Sequence, residues 1–342
     1  TTNGTAATPF PIGDYSPEAF PTLPGTGVAT PNLLESGDTT LLTVDVTPGA
    51  NPVSTGLAVM ADLSAIGGLA DQPFFDDGTN GDVSAGDNVF SFETTATGAV
   101  ALYVLTAEFD DDQEREGSTS IALRIAPPVV KIHEVQGSGP DVVEGVTVRV
   151  QGVVTSLFED DDAVEKFFIQ EEDADADADA ATSEGILVFC DSCPITPAVG
   201  DLVTVVGTTD EFFNMSEIAA FGALSVVIDS SGNSLPTPTA VVLPATLGGT
   251  NEELTFEAVE GMIVEFPDKL VVSEYFQLGR FGQVVLTVDD RPFQFTHLYE
   301  PDDIGYTAFL DGLAASRIIL DDNNNDGNDA IFGPEFNEPY PY

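Results

Sequence analysis

Residues 146–160 read VTVRVQGVVTSLFED, one long apolar and β-branched run with Gly152 near its centre. Such composition over this length predicts a strand. A glycine in mid-strand lets the backbone bend sharply, so one strand can serve two neighbours, as the closure of a small barrel requires. Downstream lie further strand-like runs: EKFFIQEE (165–172), GILVF (185–189), DLVTVVGTTDEFF (201–213) and ALSVVID (223–229). Five strands in this order predict an OB-like barrel. VVKIHEV (129–135), just upstream, also reads as strand.

Upstream again, APP at 126–128 marks a domain boundary. Before it, TTLLTVDVT, TGLAVMADL, NVFSFET, GAVALYVLTAEF and STSIALRI alternate or run apolar, with Gly, Asn and Asp turns between them. Several short strands over about 90 residues predict an immunoglobulin-like sandwich. DDDQEREG (110–117) reads as a charged hairpin turn. After the barrel, GMIVEF, KLVVSE and QVVLTVDD add strands, and PDDIGYTAFLDGLAAS (301–316) reads as one helix with Tyr306, Phe309, Leu310 and Leu313 at helical spacing.

The expected fold class is therefore all-β. An extended Pro-rich segment (1–35) precedes an immunoglobulin-like β-sandwich (36–127) and an OB-like β-barrel (128–250). A β-rich extension (251–342) ends the chain with one short helix, an acidic loop and an extended tail. The ends carry aromatics among prolines, PFPIGDYSPEAF and PEFNEPYPY. Prolines exclude helix and central strand there. Either these ends pack on their own domain, or they add a strand to the sheet edge of a neighbouring copy, giving self-association.

Charge narrows the partners. Nine Lys and Arg face 58 Asp and Glu, for a net charge of −49, and no basic residue precedes Arg115. Such a surface repels nucleic-acid phosphate and anionic lipid and attracts divalent cations. Salt adaptation is the other reading of this acidity, since screening weakens self-repulsion. No apolar run approaches the length of a membrane span. TTNGTAATPF lacks the basic start and apolar core of a signal peptide, and a chain beginning with Thr looks processed, so a secreted, extracellular protein is expected. Cys190 and Cys193, in VFCDSCP, form a single CxxC pair. In an exported chain this reads as a small-loop disulfide, with free thiols as the alternative; one CxxC without a nearby His makes no zinc site.

Three acidic stretches could hold Ca²⁺, which takes six to eight oxygens at flexible geometry. FFDDGTNGDVSAGDNVFSF (74–92) offers Asp76, Asp77, Asp82 and Asp87, with Gly78, Gly81 and Gly86 to turn them inward. LDDNNNDGNDA (320–330) offers Asp322, Asn324, Asp326 and Asp329 around Gly327, the front half of an EF-hand-style loop. Its twelfth position is Gly333, where a bidentate Glu is expected. EEDADADADAATSEG (171–185) offers Asp173, Asp175, Asp177 and Asp179; in a strand they would crowd one face, and in a loop they could wrap one ion. Each stretch has a plainer alternative, a turn with solvated acids.

Catalysis finds no pattern. No GxSxG occurs, no Gly-rich phosphate loop follows a strand, and the two histidines, His133 and His297, stand in strand-like contexts far apart. Phe167, Phe168, Phe212 and Phe213 could stack bases in an OB groove, but with Lys166 and Arg149 nearly alone beside them they read as core.

KIHEVQGSG, VTVRVQGVVTSLF, FFIQEEDADADADAATSEGILVF, VGDLVTVVGTTDEFFNMSEI, FEAVEGMIVEF, LGRFGQVVLTVDDRPFQFT and RIILDD together resemble the non-catalytic barrel region of secreted bacterial endonucleases of the ExeM/NucH type. The likeness spans roughly 131–322. Residues 36–126 look like immunoglobulin-like modules of bacterial surface proteins. In those nucleases a separate endonuclease/exonuclease/phosphatase domain follows the barrel and carries the metal-binding acids and catalytic histidines. No such motif occurs here, so the resemblance implies a fold and an export route, not nuclease activity. The expected function is a non-catalytic extracellular structural or matrix protein, calcium-stabilised and assembling into a filament or surface layer. The alternative is the targeting region of a secreted nuclease, apart from its catalytic domain.

Overall fold

The computed structural model of the chain describes residues 22–160, 163–190, 193, 195–245, 256–301 and 304–321. The chain divides into two compact units between Pro127 and Pro128.

The first unit contains β1 (Gly25–Thr30), β2 (Leu33–Leu34), β3 (Thr39–Val46), β4 (Ala58–Ala61), β5 (Gln72–Phe74), β6 (Val89–Thr95), β7 (Ala101–Asp110) and β8 (Glu116–Ile125). They form two sheets, β1-β3-β6 and β2-β8-β7-β4-β5, antiparallel throughout except where β2 joins β8. Period-2 alternation does the work of building the core. In β3, Leu42, Val44 and Val46 point inward, and Leu105, Ala107 and Phe109 of β7 and Ile121, Leu123 and Ile125 of β8 do the same. These residues meet in one cluster between the sheets, which makes the unit a sandwich.

The turn at 111–115 is charged, as its composition predicts, and Asp112 and Glu114 at its tip lie in solvent, but its two ends do not. Asp111 and Arg115 are both buried. The two form an ion pair beneath the exposed tip of the β7–β8 hairpin.

The second unit opens on α1 (Ile132–Gln136), followed by β9 (Thr147–Asp160), β10 (Ala163–Gln170), β11 (Gly185–Phe189), β12 (Leu202–Glu211), β13 (Ser216–Ala219) and β14 (Val226–Ser230). β9 pairs with β12 through residues 147–153 and with β10 from 153 to 160. The change of partner falls beside Gly152, where an added Cβ would stand 3.0 Å from the Gln170 carbonyl oxygen. β11 then pairs in parallel with β13, and β13 returns antiparallel to β12. The cycle β9-β10-β11-β13-β12 closes a five-stranded OB-like barrel, with β14 attached to β12. Val150, Val154, Phe167, Ile169, Ile186, Val188, Val203, Val205 and Ile218 fill it, and Ile132 of α1 joins them.

Two expectations fail here. VVKIHEV is not a strand: after a single bridge from Val129 to Arg149 the chain turns into α1. The backbone N–H groups of Ile132 and His133 donate to the Glu171 carboxylate at the end of β10, which caps the helix from 39 and 38 residues away. Glu134 Oε2 accepts from the Lys131 N–H at 3.1 Å. Phe212 and Phe213 are not core. They sit at the tip of the β12–β13 hairpin, 58% and 90% exposed. Phe167 is fully buried, and Phe168 is half-buried.

The extension carries β15 (Thr239–Ala240), β16 (Val264–Glu265), β17 (Leu270–Glu274), α2 (Leu278–Phe281), β18 (Val284–Val288), α3 (Phe295–Leu298), α4 (Tyr306–Ala315) and β19 (Arg317–Leu320). β17, β18 and β19 form an antiparallel three-stranded sheet. Four short α-helices thus occur among the described residues rather than one, and both histidines lie in helices, His133 in α1 and His297 in α3. The predicted C-terminal helix is α4; Tyr306 and Phe309 pack edge-on against Phe295 at 5.0 and 5.4 Å, while Leu310 stays exposed. Among the described residues no helix is long and apolar enough to cross a membrane.

Candidate metal sites

The first acidic stretch crosses from β5 in one sheet of the sandwich to β6 in the other. Backbone amides organise it. Asp76 accepts from the N–H of Gly86 at 2.7 Å and of Asn88 at 3.0 Å, and Asp82 accepts from Gly78 at 2.6 Å and Ser84 at 3.1 Å. Gly81, with φ +91°, holds the left-handed turn that returns the loop. Asp76, Asp82 and Asp87 thereby bring one oxygen each within 4.8 Å of one another. Oxygens bound to one Ca²⁺ on opposite sides, each about 2.4 Å from it, stand at about that spacing. Asp77 lies outside the group; its carboxylate accepts from the backbone and hydroxyl of Thr79. The Asx-turn alternative is therefore present in the same residues. The two readings are compatible, because a carboxylate that accepts one or two amides keeps further lone pairs.

The run of alternating Asp and Ala is a loop, and its acids separate. Asp173 accepts from the hydroxyl and N–H of Thr237, which together lower its pKa. Asp175 pairs with Lys131 Nζ at 2.8 Å. Asp179 accepts from the Ala181 N–H. Asp177 alone joins a cluster, and its partners lie far away in sequence.

That cluster sits at one end of the barrel. His133 Nδ1 is 3.1 Å from Glu171 Oε2 and 3.1 Å from Glu184 Oε2, and Nε2 is 3.9 Å from Asp177 Oδ2. Glu171 is 2% and Glu184 7% exposed. Glu184 Oε1 also accepts from the Asp177 N–H at 3.0 Å. Glu171, Asp177 and Glu184 line a cavity of about 330 Å³ together with Thr237, Thr239 and Met262. Burial, and then the hydrogen bond shared with Glu184, hold Glu171 well above the usual carboxylate range, against the pull of His133. Burial tends to lower the His133 pKa, but the carboxylates of Glu184 and Glu171 outweigh it and raise it. Sequence patterns miss this site because its members are 38 and 51 residues apart and belong to no local motif. The DADADADA loop, which supplies Asp177, is the signal the sequence offers.

Cys190 and Cys193 are joined in a disulfide at the end of β11, with Cα atoms 4.9 Å apart. Asp322, Asn324, Asp326 and Asp329 lie outside the described residues. No protein-family model matches the chain, and no curated protein matches it.

The cluster has a signed pH consequence for the metal-free chain. A carboxyl whose folded pKa is raised costs stability as pH climbs above its unfolded value of about 4.3. An imidazole whose folded pKa is raised contributes stability below about 6.5 and loses it as pH rises further. Both act in one direction, and Glu217 and Glu260, raised chiefly by burial, add to it. The melting temperature in chelator is expected to fall by about 5 °C between pH 5 and pH 8. Glu171→Gln should flatten that slope, and an equal slope in the variant would assign it elsewhere.

Proposed function

We propose that this chain is a non-catalytic extracellular structural protein whose acidic turns are stiffened by Ca²⁺ and which self-associates. The all-oxygen set of Asp76, Asp82 and Asp87, held by backbone amides in the turn that links the two sheets, is the observation that carries the reading. Support for self-association comes from the β17-β18-β19 sheet, whose outer strands have no further strand beside them among the described residues. Val272, Phe276 and Ile319 are exposed there. An edge of that kind accepts an added strand. The sequences assigned to it are the aromatic, Pro-rich ends of a neighbouring copy.

The test is light scattering after size exclusion, with a parallel melting curve, in Ca²⁺ and in EGTA. Large assemblies in Ca²⁺ that fall to single chains in EGTA are expected. A melting temperature higher by about 8 °C in Ca²⁺ is also expected, since a site filled at 100 times its Kd contributes about 2.7 kcal/mol. Asp82→Asn should melt in Ca²⁺ as the parent melts in EGTA. A single-chain species with one melting temperature in both buffers would overturn the reading. The likeness of 131–322 to nuclease barrel regions supports a second reading, a targeting module. DNA retention at low salt with Ca²⁺ would favour that one.

A further inference from the structure

We propose that His133, Glu184 and Asp177, backed by Glu171, form a second metal site that takes one divalent cation of the zinc class rather than Ca²⁺. Donor chemistry makes the distinction. Ca²⁺ and Mg²⁺ are bound by oxygen, whereas an imidazole nitrogen suits zinc and its neighbours among the transition metals. The set here mixes one imidazole with carboxylates. Two donors on one tetrahedral Zn²⁺, each about 2.1 Å from it, lie roughly 3.4 Å apart. The 3.1 Å separation from His133 Nδ1 to Glu184 is close to that value, and one ligand atom from each of His133, Asp177 and Glu184 lies within 4.8 Å of the others, so a small contraction admits the ion among them.

The site is built before any ion arrives. Three segments supply it: α1, the end of β10, and the loop that runs into β11. Glu171 is fixed by the N–H groups of Ile132 and His133, and Glu184 by the N–H of Asp177. Its charge is not balanced. Three carboxylates surround one imidazole, two of them buried, and Lys131 is spent on Asp175. The imidazole offsets at most one of those charges, and an excess of negative charge beside buried groups is costly. A dication removes the deficit. The cavity of about 330 Å³ over Glu171, Asp177 and Glu184 gives it a way in and room for a water ligand.

The chain makes the test clean, because it has two histidines and both cysteines are in the disulfide. Metal-free protein carrying Asp82→Asn, which removes the calcium turn from consideration, is titrated calorimetrically with Zn²⁺ in excess Ca²⁺. One equivalent is expected to bind at micromolar Kd or tighter. His133→Gln should weaken it by at least tenfold, and His297→Gln should leave it unchanged. X-ray absorption of the zinc-loaded parent should show one imidazole in the coordination shell, a reading that does not require the variant to fold. Loss of zinc binding in excess Ca²⁺, unaltered affinity in His133→Gln, or a shell of oxygen alone would overturn the proposal. None of these outcomes bears on whether Ca²⁺ stiffens the sandwich turn.

Discussion

Arg115→Met is expected to lower the melting temperature of the sandwich by about 15 °C, the scale of a broken buried ion pair in a domain of this length. The side chains of Arg115 and Asp111 are 4% and 0% exposed. Arg115 Nε donates to Asp111 Oδ2 at 2.8 Å, and Nη2 donates to Ser54 Oγ at 2.9 Å. Ser54 in turn donates to Asp111 and accepts from the N–H of Gly49, so the network joins the β7–β8 turn to the segment at 49–54. Burial alone would raise the Asp111 pKa, but hydrogen bonds from Arg115 and Ser54 outweigh it and leave it at about 2. Deleting the guanidinium strands that carboxylate in the interior. Double replacement, Asp111→Leu with Arg115→Met, removes both charges and should recover most of the loss, because a buried pair is worth little against apolar groups of similar volume. Arg115→Lys should fall between, having a charge but no planar fork. If the single variant melted within 3 °C of the parent, or if the double variant were no better than the single, the turn would not depend on this pair. Calorimetry of the three variants decides it.

The strands of both units are legible because their signal is local. Alternating Leu42, Val44 and Val46 need only the sheet they sit in to declare a buried face, and Gly152 announces a bend by its own missing Cβ. What escapes the sequence depends on distant partners. α1 is five residues long, and its first amides are satisfied by Glu171 in another element, so KIHEV carries no sign that it will coil. His133 meets Glu184 across 51 positions. As sequence, the acid loop at 171–185 reads as a wrap for a single ion. Instead Asp177 accepts from the Asp179 N–H at 2.7 Å and Asp179 from Ala181, successive Asx turns that break up any shared face. Asp111 and Arg115 read as surface charge because nothing local says that they will neutralise each other inside. Phe212 and Phe213 show the converse: apolar side chains at a hairpin tip stay exposed, since among the described residues no element lies over them.

Gly185→Ala is the complementary test in the barrel. Gly185 begins β11 immediately after Glu184, and its carbonyl accepts from Gln136 Nε2 at 2.6 Å. A Cβ at this position would overlap the carbonyl carbon and oxygen of Gly261 and come within 2.7 Å of the Met262 nitrogen. These are backbone atoms, which no rotamer change can move aside. Gly261 itself has φ +71° and no side chain, so the two segments meet main chain to main chain. The Gln170 side chain holds the same approach, accepting from the Ile263 N–H at 2.8 Å. One methyl group therefore has to push β11 or the 260–263 segment outward. Overpacking of this kind costs about 3 kcal/mol, and in a unit of this size the melting temperature should drop by about 8 °C. The shift begins one residue from Glu184, so it should also pull that carboxylate from His133 and weaken zinc binding by about tenfold, with Ca²⁺ stiffening of the sandwich unchanged. Gly139, where an added Cβ meets nothing within 4 Å, is the control: Gly139→Ala should leave both quantities alone. A Gly185→Ala chain that melted within 2 °C of its parent and held zinc as tightly would show that the strand can slide, and that the glutamate's position does not rest on this contact.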